Sequence, residues 1–150
     1  ILVPIGGGSG AAAACIVAKS INPKVKIVGV QAEKAPAVYL SWKNKKFIEI
    51  QSAETFADGL ATRVPFKLTL EIINKHIDNI VLVSDEEMKK AVLTLLETTH
   101  QLAEGAGAAS TAAAFKLRKK LQRKKVALVL TGGNLTLQDL QSIFKNSYVV

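Results

Sequence analysis

The sequence has 150 residues, of which 49% are hydrophobic and 21% charged, as in one globular domain and unlike a disordered or fibrous chain. Its formal net charge of +8 can attract phosphates, nucleic acids or acidic membranes, and the charge alone does not distinguish them. The single cysteine, Cys15, excludes an internal disulfide and a zinc site built from paired cysteines, and it favours a reducing, cytoplasmic compartment. No apolar run reaches the roughly 20 residues that span a bilayer, so we expect no membrane insertion.

The first part of the chain alternates strand patterns with helix patterns. Residues 1–5 form an apolar run that predicts a strand, residues 6–10 are a glycine-rich loop, and residues 11–19 are mostly small helix formers. Residues 25–30 predict a second strand, and residues 35–42 predict a short helix. Each strand is therefore followed by a helix.

The middle of the chain repeats this alternation. Apolar residues recur at helical spacing from Leu68 to Ile77, and residues 80–83 predict a buried strand. Ser84 and Glu87 have the spacing of a capping box, in which each side chain accepts a hydrogen bond from the other residue's N–H, so we expect a helix to begin there.

The last third predicts one more strand between two helices. Residues 108–121 have a helical pattern, and residues 125–130 form an apolar run that suits a strand covered on both faces of a sheet. Residues 131–134 are a second glycine turn, and residues 135–144 predict a closing helix. Alternating strands and helices predict an α/β fold, a doubly wound layer around a parallel sheet, with ligands beyond the carboxyl ends of the strands.

The loop between Gly6 and Gly10 contains four glycines and one serine in five positions. Its N–H groups are unshielded and lie at a predicted helix start, where the helix dipole favours an anion. A plain tight turn is the structural alternative, but four glycines are more than a turn requires. The loop therefore predicts a phosphate site.

A dinucleotide-binding domain is an alternative for the same loop. Gly6, Gly8 and Ala11 satisfy the glycine fingerprint of that fold, and Glu33 follows the second strand at roughly the distance of its ribose-binding acid. This alternative leaves the glycine turns at residues 104–107 and 131–134 unexplained.

Five short motifs are distributed over nearly the whole chain. They are Val3-Pro4-Ile5-Gly6-Gly7-Gly8-Ser9-Gly10, Gly29-Val30-Gln31-Ala32-Glu33, Ala57-Asp58-Gly59, Ala103-Glu104-Gly105-Ala106-Gly107-Ala108 and Thr131-Gly132-Gly133-Asn134. In order and approximate spacing they resemble the threonine dehydratases, pyridoxal 5'-phosphate (PLP) enzymes of fold type II with serine racemase as a near relative. The resemblance implies that this chain is most of the large domain of such an enzyme.

The resemblance also implies roles for individual residues. Thr131 would place a hydroxyl at the pyridine nitrogen, Gly59 would leave room for the ring, and Glu104 would orient its polar edge. Each also has a purely structural alternative, as a turn or a helix end. The cofactor phosphate would be held by main-chain donors of Gly6, Gly7, Gly8, Ser9 and Gly10.

A metal site is less well supported by the motifs. The resemblance places Glu33 at the first carboxylate and Ala37 at the main-chain carbonyl of the cation site in serine racemase-like relatives. Tyr39 stands at the second acidic position, and a phenol is a poor ligand for a hard divalent ion. A monovalent cation at Glu33, or Glu33 as a simple surface acid, remains open.

Basic residues are densest at positions 118–125. They lie at a predicted helix end, where cations suit the dipole, and no aromatic residues are interleaved to stack bases. We therefore expect no nucleic-acid partner. Cys15 is expected in the core, and His76 and His100 at surface or packing positions.

The resemblance implies dehydration and deamination of L-threonine, and of L-serine, to 2-oxobutanoate or pyruvate and ammonia, by a homo-oligomeric enzyme acting on a small amino acid. In the family the lysine that forms the Schiff base with PLP lies before the glycine loop, in a Ser-x-Lys-x-Arg-Gly type motif. The sequence contains no such motif and opens on Ile1 within a strand, so we expect a segment of a longer protein. The segment alone should bind PLP weakly and turn over nothing.

Overall fold

The core of the structure is a three-stranded parallel sheet. The computed structural model describes residues 1–147, with side chains through residue 145. The strands are β1 (Leu2–Pro4), β2 (Val28–Ala32) and β3 (Asn79–Val83), in the order β1-β2-β3. Leu2 lies opposite Val28, which lies opposite Asn79. All three carboxyl ends therefore meet at one edge of the sheet, as the predicted α/β fold requires.

Helices connect the strands and cover the sheet. A 3-10 turn at Asp58–Leu60 lies between the second and third of them. The helices are α1 (Ser9–Ile21), α2 (Ala37–Asn44), α3 (Lys67–His76), α4 (Asp85–Thr99), α5 (Gly105–Lys116), α6 (Arg118–Leu121) and α7 (Leu137–Ser147).

Two apolar clusters lie on opposite faces of the sheet. One joins strand residues such as Val30 and Val83 to Met88 of α4 and to the alanines of α5. The other joins Ile5 and Ile80 to α1, α2 and α3, and it contains Cys15, which is fully buried as expected. Helices on both faces make the layer doubly wound, which confirms the predicted fold class.

The predicted start of α4 is confirmed. The Ser84 side chain accepts a hydrogen bond from the Glu87 N–H at 3.1 Å, and the Glu87 carboxylate accepts one from the Ser84 N–H at 2.8 Å. These two bonds satisfy N–H groups that the first helical turn would otherwise leave without a partner.

The strand predicted at residues 125–130 is wrong as a full strand. Leu128 forms a single parallel bridge to Leu2, whose N–H donates to the Ala127 carbonyl and whose carbonyl accepts from the Val129 N–H. The next N–H in this ladder would belong to Pro4, which has none. Side chains 126, 128 and 130 are 37–41% exposed, so this segment is not covered on both faces.

Other boundaries also differ from the sequence-based expectation. Strand β2 begins at Val28 and not at residue 25, and the helix predicted at residues 108–121 is divided into α5 and α6. Within the part of the chain that the structure describes, we find no helix with the length and apolar character that a membrane span needs.

Candidate functional site

A cavity of about 290 Å³ lies beyond the carboxyl end of β1. Four separate stretches of the chain reach it: the glycine loop, the 3-10 turn, the start of α5 and the turn at Thr131. All eight residues predicted to contact the cofactor line this cavity. They are Gly6, Gly7, Gly8, Ser9, Gly10, Gly59, Glu104 and Thr131, and the remaining lining residues are Pro4, Leu60 and Ala106.

The glycine loop presents free backbone donors to the cavity. Gly8 caps α1 with φ of 87°, a left-handed conformation that glycine adopts without strain, and no side chain caps this helix end. Among the described residues, no acceptor receives a hydrogen bond from the N–H groups of residues 6–10. Together with the helix dipole, these donors form a concave site suited to a dianionic phosphate.

The loop is packed too tightly for side chains at its base. A Cβ built on Gly6 would lie 2.0 Å from the carbonyl oxygen of Gly59, so these two cavity-lining glycines are in direct backbone contact. At Gly10 a Cβ would meet no atom within 4 Å. The backbone is therefore tightly packed at the base of the cavity, where Gly6 meets Gly59, and not at its outer rim, where Gly10 lies.

Thr69 holds the glycine loop from the side of α3. Its hydroxyl donates to the carbonyl of Gly7, with the oxygens 2.8 Å apart, and lies 2.9 Å from a Cβ built on Gly8. No sequence motif surrounds Thr69, because its role depends on α3 packing beside the loop. It is a positioning residue that sequence analysis missed.

Thr131 lies opposite the glycine loop, at the turn that precedes α7. It is exposed and lines the cavity, and it is not directed into the hydrophobic interior. Its carbonyl oxygen would be 2.1 Å from a Cβ built on Gly107, so the turn rests directly on the backbone of α5. The backbone of Thr131 is thereby packed against α5.

Glu104 connects the start of α5 to the turn that contains Thr131. Its Oε2 accepts a hydrogen bond from the Asn134 N–H at 3.1 Å, and its own N–H donates to the Gly132 carbonyl at 3.2 Å. Its Oε1 lies 3.6 Å from a Cβ built on Gly59. The carboxylate therefore fixes the Thr131 turn with one oxygen and faces the cavity with the other.

The candidate cation ligands lie elsewhere and have other partners. The Glu33 carboxylate accepts from Lys116 Nζ at 3.3 Å, and the Ala37 carbonyl accepts from the Ser41 hydroxyl at 2.7 Å. Across residues 1–147, no three His, Cys, Asp or Glu side chains are grouped so that they could hold a metal ion. The described residues therefore do not fit the cation that the resemblance suggests.

A larger cavity, of about 680 Å³, lies at the opposite edge of the sheet. It borders the first residues of all three strands and is lined by lysines over an apolar floor. It includes part of the basic stretch at residues 118–125, and it contains no loop of free N–H groups. Its chemistry does not match that of a phosphate cradle with a facing hydroxyl.

Comparisons with known proteins agree with this geometry. Residues 1–132 match the family model described as pyridoxal-phosphate dependent enzyme. The chain is 37% identical over 149 residues to an L-threonine ammonia-lyase of Thermotoga maritima, covering 99% of this chain and 37% of that protein. It is 34% identical over 145 residues to a catabolic L-threonine dehydratase of Escherichia coli (strain K12), covering 95% of this chain and 44% of that protein.

A solved structure of a threonine deaminase has a fold similar to that of this chain. The processed form of threonine deaminase isoform 2 from Solanum lycopersicum superposes with a TM-score of 0.92 at 25% identity, covering 99% of this chain and 44% of that one. The chain thus spans less than half the length of these relatives. None of these comparisons favours the dinucleotide-binding alternative. The chain belongs to the family of pyridoxal-phosphate dependent enzymes.

Proposed function

We propose that the protein carrying this chain is a threonine ammonia-lyase, which converts L-threonine to 2-oxobutanoate and ammonia and acts on L-serine in the same way to give pyruvate. The observation that carries the proposal is one cavity that is lined both by the glycine loop, with its five free amides, and by Thr131. Relatives named for threonine deamination, at 34–37% identity over nearly the whole chain, support the substrate.

The glycine loop is the proposed anchor of the cofactor. PLP, when bound, withdraws electrons from the amino acid at Cα. The N–H groups of residues 6–10 bind its phosphate, and the left-handed Gly8 turns them towards the cavity. Gly6 and Gly59, in backbone contact, keep the base of the cavity free of side chains.

Thr131 is the proposed partner of the pyridine nitrogen. A neutral hydroxyl forms a hydrogen bond with this nitrogen but, unlike a carboxylate, does not hold a proton on it. The electron withdrawal is then moderate, which favours loss of the β-hydroxyl over transamination. Glu104 acts mainly as a positioning residue, because its bond to Asn134 fixes the turn that carries Thr131.

The rest of the enzyme is proposed from the family. Residues 1–150 supply most of the large domain, and the lysine that bonds to the cofactor comes from another part of the protein, since the sequence lacks its motif. We propose a cytoplasmic homo-oligomer acting on a small amino acid without nucleic-acid or membrane partners. The isolated chain should bind PLP weakly and form no 2-oxoacid.

The activity of the purified full-length protein, of which this chain is a part, tests this function. Thr131→Val, which keeps the shape of the side chain but removes the hydroxyl, should lower kcat for 2-oxobutanoate formation by about 3- to 10-fold, the worth of one hydrogen bond between neutral groups. Thr131→Ser keeps the hydroxyl and should retain most of the activity. Absence of 2-oxoacid formation from L-threonine by the wild-type protein, or full activity of Thr131→Val, would contradict the proposal.

A further inference from the structure

Lys116 has three oxygen partners from three different segments. Its Nζ lies 2.9 Å from the Leu82 carbonyl, 3.0 Å from Glu87 Oε2 and 3.3 Å from Glu33 Oε1. Leu82 lies near the end of β3, Glu33 directly follows β2, and Glu87 lies in the first turn of α4. Lys116, the last residue of α5, therefore joins the carboxyl ends of two strands to the start of a helix.

This set of partners resembles the ligands of a hard cation. Two carboxylates and one main-chain carbonyl are oxygen donors of the kind that divalent and alkali cations take in proteins. Glu33 and Glu87 would repel each other without a positive charge between them. The lysine side chain is a cation at neutral pH, and its ammonium lies between the two carboxylates, 3.0 Å from Glu87 and 3.3 Å from Glu33.

The other ligands that a cation would need here are already used. The Ala37 carbonyl accepts from the Ser41 hydroxyl, and Glu87 Oε2 also accepts from the Ser84 N–H in the capping box. One oxygen of Glu33 is thus already paired with an ammonium of the chain itself. The cation site suggested by the resemblance needs a bound ion at Glu33. In this chain the Lys116 ammonium provides the positive charge there instead.

We propose that the Lys116 ammonium is a built-in cation that takes the place of a bound metal ion at Glu33, so that this protein joins its strand ends without one. The inference does not depend on the reaction or on PLP. It concerns which cations the fold requires.

Thermal unfolding of the purified protein tests the inference. Wild-type protein is treated with EDTA and then measured in tetramethylammonium chloride, potassium chloride and magnesium chloride at equal ionic strength. We expect the same unfolding temperature in all three, within about 1 °C. Specific stabilisation by potassium or magnesium, or a loss of stability after EDTA, would overturn the proposal.

Variants of Lys116 test the inference from the other direction, by removing the lysine charge and asking whether an added cation replaces it. Lys116→Met removes the charge and keeps the length of the side chain, and should lower the unfolding temperature by about 2 to 4 °C in tetramethylammonium chloride, as expected for a partly exposed ion pair. Potassium or magnesium should restore part of this loss, and adding Glu33→Gln should abolish the recovery. Lys116→Arg should behave as wild type.

Lys119→Met is the matched control. Lys119 is exposed, lies one turn further along, and has no ion pair among the described residues. Its substitution should change neither stability nor the response to cations. A Lys116→Met protein that loses stability without recovery in either cation, or that loses none, would overturn the proposal. If Lys116→Met does not fold, the unfolding temperatures of wild type and Lys116→Arg in the three salts still test the proposal.

Discussion

At the scale of single residues, Gly107 sets the distance between α5 and the Thr131 turn. Replacing glycine by alanine inside a helix normally stabilises it by about 0.5–1 kcal/mol. At this position, however, a Cβ would lie 2.1 Å from the Thr131 carbonyl oxygen and 2.7 Å from that of Gly132. Gly107→Ala should therefore lower the free energy of unfolding by about 1 kcal/mol or more and weaken PLP binding, as measured by urea unfolding and cofactor titration.

Gly10→Ala is the control for this prediction. It also lies in a helix, and its Cβ would meet no atom within 4 Å. We expect equal or slightly higher stability. If the two alanine variants were equally stable, the tight contact between α5 and the Thr131 turn would be refuted.

The sequence predicted the residues whose chemistry is local. Gly8 is an example, because a helix start with free N–H groups needs only the loop and the following helix. The roles of Thr69 and Lys116 could not be predicted in this way. Both depend on which helix packs beside which loop, and that is fixed only when the whole layer is assembled.

At the scale of elements, Asp78 ties three segments together. Its carboxylate accepts from Lys19 at the end of α1, from Lys26 before β2 and from the Ile27 N–H, at 2.6–2.8 Å. Partial burial raises the pKa of Asp78, but these hydrogen bonds outweigh it and lower the pKa from 3.8 to about 2. The folded protein therefore favours the charged carboxylate.

This lowered pKa predicts how stability depends on pH. The unfolded chain takes up the proton near pH 4, whereas the folded chain does so only near pH 2, so the contribution of Asp78, about 2 kcal/mol at most, is present above pH 4 and is lost as the pH falls to 2. Asp78→Asn should cost that amount at pH 7 and little at pH 2, as measured by urea unfolding at each pH. An equal cost at both values would contradict this account.

Helix starts were easier to predict than sheet edges. The capping box at Ser84 is encoded in four consecutive residues, and the structure contains both of its bonds. The apolar run at residues 125–130 has the same pattern as a buried strand. Its pairing ends after one bridge because the neighbouring strand contains Pro4, a fact about the partner and not about the run itself.

At the scale of the whole molecule, the parallel sheet explains why distant motifs meet. The glycine loop follows the carboxyl end of β1, and the packing of helices around the sheet brings Gly59, Glu104 and Thr131 to the same end, so all of them line one cavity although 125 positions separate Gly6 from Thr131. The order of the motifs was enough to predict this meeting. The contacts that fix the cavity, such as Gly6 against Gly59, required the structure.

The central claim is that free amides of the glycine loop bind the phosphate of PLP. The most direct measurement compares the dissociation constants of PLP and of pyridoxal, which lacks the phosphate, for the purified wild-type protein and two variants. We predict that wild type and Lys119→Met, a variant outside the cavity, prefer PLP by at least about tenfold, and that Gly6→Ala loses this preference because its Cβ would displace the backbone of Gly59. Equal binding of the two ligands by wild type, or an unchanged preference in Gly6→Ala, would contradict the account.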